Sequence, residues 1–505
     1  MQLEMIRALD GDTLRYQGRY LYSSRYPQRQ ALSRFPSILS PNTLYVVVSP
    51  LLHYGLFEFV SQVPDNSAII CLELDATLAQ FHRSYRLKET LNFRYLETMD
   101  SYLVEHWLKD WEFLALKTLV VIYASAGHQH LLANYTQFMD SIKVLVEQQH
   151  KNAQMLQRVH RRWLRNCIKQ LASAPVTYTT LPRMERPIVV VGAGLTLEYA
   201  RDWLAERAGS YYVIAVDTAL PALMAYGITP DLMICLEASV INLLDFIGVY
   251  YPDVPMLCDL SAHPQTKRLH AGETFFTLSD FSHASFYQRI REVFGLPSLI
   301  AGGSVGITAI TLALQMSDQP IILCGIDFAF TLGKSHARGS YTHAMQLAGY
   351  HRLVGIPLLQ ATLERPLVKV QGVQDHLLDS DVVMQSYAQM LIHSTTKRIF
   401  TLNSPYAMAM GLPLWNDEIS PMFAESKPKI TWSSTAVHRA VHRAWCKREM
   451  TFLEQFINGD LSCWQELSYL FVGEEYSREI AQSSQAKRRA IEVLGWWQAS
   501  MASSK

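Results

Sequence analysis

Two glycines, a hydroxyl group and an acid follow one another at a spacing that suits a bound nucleotide. Gly192, Gly194 and Thr196 come directly after the apolar run 188–191, and Asp217 closes the next apolar run. Glycines at such a turn let a phosphate approach the backbone, and the start of the following helix offers free N–H groups. Asp217 stands about 20 residues further on, where a dinucleotide fold carries the acid that binds a ribose hydroxyl. The segment therefore predicts a nucleotide site.

The segment also departs from the dinucleotide-binding fingerprint. Leu197 stands where the third glycine is expected, so NAD and FAD are not favoured. Glycines at a strand–helix junction also occur where a turn needs a positive φ. A purely geometric role for Gly192 and Gly194 therefore stays open.

Other polar residues and glycines follow further apolar runs of the same region. Ligands of open parallel sheets bind at the carboxyl ends of the strands. This rule adds the following residues to the candidate site: Glu237, Gly302, Gly303, Ser304 and Asp327.

The elements that must position these residues alternate between strand and helix. Strands are predicted from the runs at 188–191, 212–216, 232–236, 255–258, 321–324 and 398–402. Helices are predicted at 219–226 and 304–316. This alternation is typical of an α/β fold with a mostly parallel sheet that helices cover on both faces.

The whole chain is predicted to contain four segments. An N-terminal α/β domain spans 1–127, and a helical connector with its linker spans 128–186. A central Rossmann-like domain spans 187–415, and a helical C-terminal domain spans 416–505. In the last segment His438 and His442 have a spacing that could bind zinc, but no third ligand accompanies them, so no metal site is predicted.

Composition excludes several classes of protein. The 505 residues are 49% hydrophobic and 18% charged, as in ordered globular proteins. Lys plus Arg and Asp plus Glu number 45 each, so no net charge draws the chain to nucleic acid or to an anionic membrane. The seven cysteines are scattered without a CxxC pair, which indicates reduced thiols. No apolar run reaches the about 18 residues that span a bilayer, and no signal peptide is evident. We therefore expect a cytoplasmic protein.

The motifs along residues 20–415 resemble those of the motility-associated factor (Maf) family of flagellin glycosyltransferases. They also resemble those of the related 6-hydroxymethylpterin pyrophosphokinases, the MptE-like group. The resemblance is carried by GAGLTL (192–197), AVD (215–217), GITPD (227–231), CLE (235–237), GGSV (302–305) and GIDFAF (325–330) followed by His336. Leu195-Thr196 replaces the family's Pro-Ser, and Glu237 replaces its usual Asp.

The resemblance implies a sialyltransferase-like central domain and a glycosyltransferase activity. A nonulosonic acid of the pseudaminic or legionaminic type would pass from a CMP donor to Ser or Thr of flagellin. The backbone at 192–196 and 302–304 would hold the phosphate, and Asp217, Asp231 and Glu237 would bind the ribose and base. His336 and Asp327 would act as base and acid. The CMP-sugar is a substrate, no cofactor is expected, and the DSD sequence at 379–381 is predicted to cap a helix rather than to hold a metal.

Two alternative functions stay open. A pterin pyrophosphokinase would use ATP and Mg²⁺, which needs carboxylates that converge at the phosphates. A flagellin-binding scaffold would keep the fold without catalysis. His336 could also be a structural histidine, and Asp327 could cap the loop after its strand.

Overall fold

The computed structural model describes most of the chain in two compact units. The described residues are 3–64, 66–109, 116–173, 177–282, 284–300, 303–349, 352, 366–393, 397–417, 427–474, 476 and 478–503. The smaller unit holds residues 1–160 and 468–487, and the larger unit holds 161–467 and 488–505. The predicted boundaries near 127, 186 and 415 stay predictions.

The strands alternate with helices along most of the chain. The strands are β1 (Leu3–Arg7), β2 (Asp12–Tyr16), β3 (Arg19–Tyr20), β4 (Thr43–Val48), β5 (Ala68–Leu72), β6 (Phe93–Leu96), β7 (Thr118–Tyr123), β8 (Thr177–Thr180), β9 (Ile188–Val191), β10 (Tyr212–Val216), β11 (Leu232–Cys235), β12 (Met256–Asp259), β13 (Thr274–Ser279), β14 (Ser298–Leu299), β15 (Ile321–Cys324), β16 (Leu367–Gln371), β17 (Leu377–Asp381), β18 (Ile399–Thr401) and β19 (Ser433–Ala436).

The helices range from a single turn to 42 residues. They are α1 (Pro27–Leu32), α2 (Leu56–Gln62), α3 (Ala76–His82), α4 (Ser101–Lys109), α5 (Leu132–Ser173), α6 (Leu195–Tyr199), α7 (Arg201–Arg207), α8 (Leu220–Ala225), α9 (Thr266–Leu269), α10 (Ser285–Phe294), α11 (Val305–Met316), α12 (Tyr341–Ala348), α13 (Val382–His393), α14 (Arg439–Ile457), α15 (Arg478–Ala481) and α16 (Ser484–Ala502). None of these described helices is both long and apolar enough to cross a membrane.

The larger unit is organised around an eight-stranded sheet in the order β14-β13-β12-β11-β10-β9-β15-β18. Every neighbouring pair in it is parallel. All residues of β9, β10 and β15 are buried, as expected of strands covered on both faces. The predicted α/β fold class is therefore confirmed.

Six of these eight strands lie at the runs that the sequence predicts, while β13 and β14 were missed. Inside the predicted segment 128–186, residues 177–180 form β8, which pairs antiparallel with β19. Two nearby prolines, Pro182 and Pro187, come after the strand. They therefore do not interrupt its ladder.

The smaller unit contains a second parallel sheet, in the order β6-β5-β4-β7, and the antiparallel sheet β1-β2-β3. Alternate residues of β4 contribute to two cores. Val46 belongs to one core with Phe138 and Ile142 of α5, and Val47 belongs to the other with Phe59 of α2. This unit is therefore an α/β layer structure in its own right.

Helix α14 packs against α10 within the larger unit. Arg289 of α10 makes a two-point contact with the carboxylate of Glu449 in α14, at 2.8 Å and 2.6 Å. His438 and His442, whose spacing could bind zinc, both make contacts within the protein. His438 caps the start of α14, and Nε2 of His442 lies 2.6 Å from the carbonyl oxygen of Leu171.

Candidate functional site

The strand order creates a switch point between β9 and β15. From β9 the chain proceeds through β10 to β14 on one side of the sheet, and then returns to β15 on the other side. Chain connections leave in opposite directions from the carboxyl ends of β9 and β15, which opens a crevice there. Open α/β sheets bind their ligands in such a crevice.

The turns after β9 and β15 touch each other through backbone atoms. Gly192 N–H donates to the carbonyl of Cys324, and Gly194 N–H donates to the carbonyl of Gly325, both at 2.8 Å. A Cβ on Gly192 would lie 2.4 Å from the oxygen of Gly325. A Cβ on Gly194 would lie 2.5 Å from Oδ2 of Asp327. Both positions require glycine because the two turns approach so closely.

Asp327 caps the helix that follows the glycine turn. Its Oδ2 accepts a hydrogen bond of 2.9 Å from the backbone N–H of Thr196 in α6. Burial raises the pKa of Asp327 to about 7, while the hydrogen bonds from Thr196 act in the opposite direction. The carboxyl group of the protein itself thus occupies the helix start at which the sequence predicts a phosphate.

The hydroxyl of Thr196 extends this contact to the end of β18. Thr196 Oγ1 donates to Oγ of Ser404 at 2.7 Å, and both residues are buried. The same Ser404 Oγ accepts from the backbone N–H of Tyr406. The roles of Gly192, Gly194 and Thr196 in nucleotide binding stay predictions, and the donors named here already have partners inside the protein.

Helix α11 begins at the same crevice. An added Cβ on Gly306, in its first turn, would lie 3.5 Å from Ile326 in the turn after β15. Gly303 has a φ of +71°, and Ser304 is the N-cap residue, but its side chain caps no described N–H of the helix. Helix starts of this kind suit anions. Gly302, the other predicted glycine, lies outside the described residues.

His336 lies in the segment that leads from β15 to α12. The N–H of its neighbour Ala337 donates to the carbonyl of Ala193 at 2.8 Å, which fixes the segment beside the glycine turn. Nδ1 of His336 lies 2.9 Å from Oγ of Ser335. Burial lowers the pKa of His336, and the nearby His343 lowers it further. The imidazole is therefore neutral at neutral pH and can accept a proton.

A second cluster of polar residues follows β10 and β11. Asp217 is buried, and its Oδ2 accepts from the side-chain amide of Asn242 at 3.1 Å. Asp245 follows Asn242 in the same 3₁₀ segment and is also buried. Glu237, on the same edge, is exposed, and its carboxylate accepts a hydrogen bond from the N–H of Ser239. The structure thus brings Asp217 and Glu237 to one edge, as predicted.

Asp231 lies at the opposite edge of the sheet. It precedes β11, and its Oδ2 accepts from the N–H of Val213 near the start of β10 at 2.8 Å. Its carboxylate also forms an ion pair with Lys427 at 2.5 Å. A surface pocket of about 320 Å³ lies at this edge, lined in part by residues 227–231. The structure thus places Asp231 at the amino ends of the strands, in an ion pair with Lys427, and its nucleotide contact stays a prediction.

Metal ligands do not gather at this site in the described part of the chain. No group of three or more His, Cys, Asp or Glu side chains is arranged there to hold a metal ion. In the DSD sequence, Oδ1 of Asp381 accepts from the N–H of Met384 at 2.8 Å, which caps α13 as predicted.

Sequence reasoning missed three residues of this edge, namely Asn242, Asp245 and Ser404. Ser404 follows β18, so the strand-end rule could have found it. Asn242 and Asp245 lie in a 3₁₀ segment, Val240–Asp245, several residues beyond the end of β11. Their pattern NLLD carries no signal of its own.

Comparisons with known proteins agree with the fold. Residues 161–333 match the family model described as 6-hydroxymethylpterin diphosphokinase MptE-like. An uncharacterized protein of Treponema pallidum (strain Nichols) is 30% identical over 349 residues, which are 66% of this chain and 61% of that protein. The chain thus spans less than two thirds of this relative's length.

The fold also matches a solved structure described as the Maf glycosyltransferase of Magnetospirillum magneticum AMB-1. The match has a TM-score of 0.58 and 13% sequence identity, and it covers 100% of this chain and 87% of that one. The relationship predicted from the motifs is therefore confirmed. Residues 161–333 thus match an MptE-like family model, and the chain shares its fold with a Maf glycosyltransferase.

Proposed function

We propose that the protein is a glycosyltransferase that moves a nonulosonic acid of the pseudaminic or legionaminic type from a CMP donor to Ser or Thr of flagellin. The observation that carries the proposal is the match of the whole chain to the fold of a Maf glycosyltransferase. The crevice at the switch point supports it, because both predicted catalytic residues belong to elements that meet there.

The proposed reaction is a displacement at the anomeric carbon of the sugar. The acceptor hydroxyl oxygen bonds to this carbon while the bond from the carbon to the phosphate oxygen breaks, and CMP leaves. His336 accepts the proton of the hydroxyl. Proton transfer by a positioned side chain typically contributes about 10²–10⁴-fold to the rate.

Asp327 is proposed as the acid of this reaction. A pKa of about 7 leaves the carboxyl protonated in a good fraction of molecules at neutral pH. Its contact with the backbone N–H of Thr196 fixes the position of the carboxyl group beside the turn after β9. The start of α11 at Ser304 is the proposed place for the phosphate, because the described part of this helix carries no side-chain cap there.

A pterin pyrophosphokinase is the second candidate, and the family model that matches residues 161–333 favours it. This reaction would need Mg²⁺ at the phosphates. The two candidates therefore differ in their nucleotide and in their metal dependence.

A thermal-unfolding panel with CMP, CTP, ATP with Mg²⁺, GTP and NAD separates the candidates. A ligand at about 100 times its dissociation constant stabilises the folded state by about 2.7 kcal/mol. We expect CMP and CTP to raise the melting temperature in the presence of EDTA. A shift with ATP and Mg²⁺ alone would favour the pyrophosphokinase, and no shift with any nucleotide would favour the flagellin-binding scaffold.

A further inference from the structure

A short arch of the chain carries His336 at its centre. The arch comprises residues 334–338, between the turn after β15 and the start of α12. A glycine in the left-handed region lies on each side of it, Gly333 with a φ of +83° and Gly339 with a φ of +91°. Because glycine has more backbone conformations open to it than other residues, these flanks do little to hold the arch in one place. The position of His336 therefore depends on the contacts that the arch makes.

One carboxylate holds both ends of this arch. Oε2 of Glu198 in α6 accepts from Nζ of Lys334 at 2.6 Å and from the backbone N–H of Arg338 at 3.0 Å. The guanidinium Nε of Arg338 also lies 3.8 Å from Oε1 of Glu198. A single side chain thus joins the residue two positions before His336 to the residue two positions after it.

Glu198 suits this role because it is partly buried and charged. Its side chain is 27% exposed, and that of Lys334 is 32% exposed. Burial alone would raise the pKa of Glu198, but the hydrogen bonds from Lys334 and Arg338 outweigh burial and lower this pKa. The carboxylate is therefore ionised at neutral pH, and hydrogen bonds to an ionised acceptor are stronger than those between neutral groups.

Helix α6 carries this clamp and also binds the other predicted catalytic residue. Asp327 accepts from the N–H of Thr196 near the start of α6. Glu198 holds the arch from the same helix, and the N–H of Ala337 in the arch donates to the carbonyl of Ala193 at 2.8 Å. One five-residue helix thus contacts the elements that carry both proposed catalytic groups.

We propose that Glu198 is a positioning residue that holds His336 in place relative to Asp327, so that the proposed base and acid keep a fixed separation. This inference rests on the proposed function, in which these two residues carry the proton transfers. Displacement of a catalytic group by about 1 Å can cost about 10²-fold in rate. Because Glu198 acts through the arch, its effect is expected on kcat rather than on KM for the donor.

Nuclear magnetic resonance of the full chain with labelled histidines tests the inference without requiring sugar transfer. The resonance of His336 is the one that His336→Gln removes, and its titration gives the pKa. In the wild type this pKa is lowered, first by burial and then by His343. We expect Glu198→Ala and Lys334→Met both to raise it toward the usual value of about 6.5, since each variant releases the arch and exposes the imidazole to water.

The two variants separate a change of position from a change of charge. Loss of Glu198 removes a negative charge and would by itself lower the pKa of His336, whereas loss of Lys334 removes a positive charge and would raise it. A raised pKa in both variants therefore shows release of the arch. A lowered or unchanged pKa in folded Glu198→Ala overturns the inference. Glu206→Gln is the matched control, because Glu206 is 69% exposed on α7, and it should leave the pKa unchanged.

Transfer kinetics of the folded variants give a second readout. Glu198→Ala should lower kcat by up to about 10²-fold with little change in KM for the CMP-sugar. Glu198→Gln keeps an oxygen acceptor for Lys334 and Arg338, so it should recover part of this loss. Equal losses in the two variants, with the pH profile of the wild type, would leave Glu198 a structural role only and overturn the inference. A wild type that transfers no sugar contradicts the proposed function, while the histidine resonance still decides whether Glu198 holds His336.

Discussion

The backbone N–H of Thr196 donates a hydrogen bond of 2.9 Å to Oδ2 of Asp327, across 131 residues of sequence. This contact joins the turn after β9 to the turn after β15, at the switch point of the sheet. It also places a carboxyl group with a raised pKa at the predicted catalytic edge. The candidate site therefore depends on a contact that also stabilises the fold.

Asp327→Asn should change how stability depends on pH. The pKa of Asp327 is about 7 in the folded protein, against about 3.9 for a free aspartate. The folded state binds a proton in this interval that the unfolded state does not bind, so the free energy of unfolding falls as pH rises from about 4 to about 7. The variant has no carboxyl group at this position, so its stability should not fall for this reason between these pH values. Urea unfolding at several pH values measures the free energy of unfolding of both proteins. As pH rises, the free energy of unfolding of the variant should increase relative to that of the wild type. A difference that does not change with pH would contradict the raised pKa.

Gly194→Ala should destabilise the protein by about 1–3 kcal/mol, as overpacking does. The added Cβ would lie 2.5 Å from Oδ2 of Asp327 and 2.7 Å from the carbonyl oxygen of Gly325. Gly209→Ala is the control, since a Cβ at Gly209 meets no atom within 4 Å. The stability of both variants is measured as the denaturant concentration at the midpoint of unfolding. Equal midpoints for the two would show that the turns are not in such close contact.

His336→Gln should lower kcat/KM for sugar transfer by about 10²–10⁴-fold if His336 is the base. The wild-type rate should rise with pH through the lowered pKa of His336, because only the neutral imidazole accepts a proton, and should fall again above about 7, where Asp327 loses the proton of the proposed acid. His438→Asn is the control, because His438 is exposed and asparagine also caps helices. A variant at position 336 that keeps the wild-type rate and pH profile would assign His336 a structural role.

Glu449→Gln should cost about 3–5 kcal/mol of stability, since it breaks a buried ion pair and leaves Arg289 without its fully buried counter-charge. Glu466 also pairs with Arg289, but its side chain is 42% exposed. Glu466→Gln should therefore cost about 1 kcal/mol or less. Denaturant unfolding compares the two substitutions. A similar small cost for both would mean that α14 does not contribute to the stability of the larger unit through this pair.

The sheet could be predicted from sequence because its central strands are buried on both faces. The run IVVV of β9 and its counterparts are continuous and apolar, which marks them clearly. β13, with the sequence TFFTLS, places threonines at its start and centre, and β14 has only two residues. Neither pattern stands out from its surroundings.

The site could be predicted only as far as the strand-end rule applies. Glu237 and Asp327 follow strands and reach the carboxyl edge. Asp231 precedes its strand, so the rule itself places it at the other edge, and its candidate role came from the family motif alone. Asp245 depends on how two 3₁₀ segments pack together, and that contact leaves no periodic signal in the sequence.

Transfer of the sugar itself tests the central claim most directly. The purified protein would be incubated with flagellin and a CMP-activated nonulosonic acid in EDTA, and the intact mass of flagellin would be measured. We predict a mass increase by whole sugar residues on Ser or Thr, with release of CMP, and loss of this increase in His336→Gln. Unmodified flagellin beside a folded protein that binds the donor would contradict the proposed function.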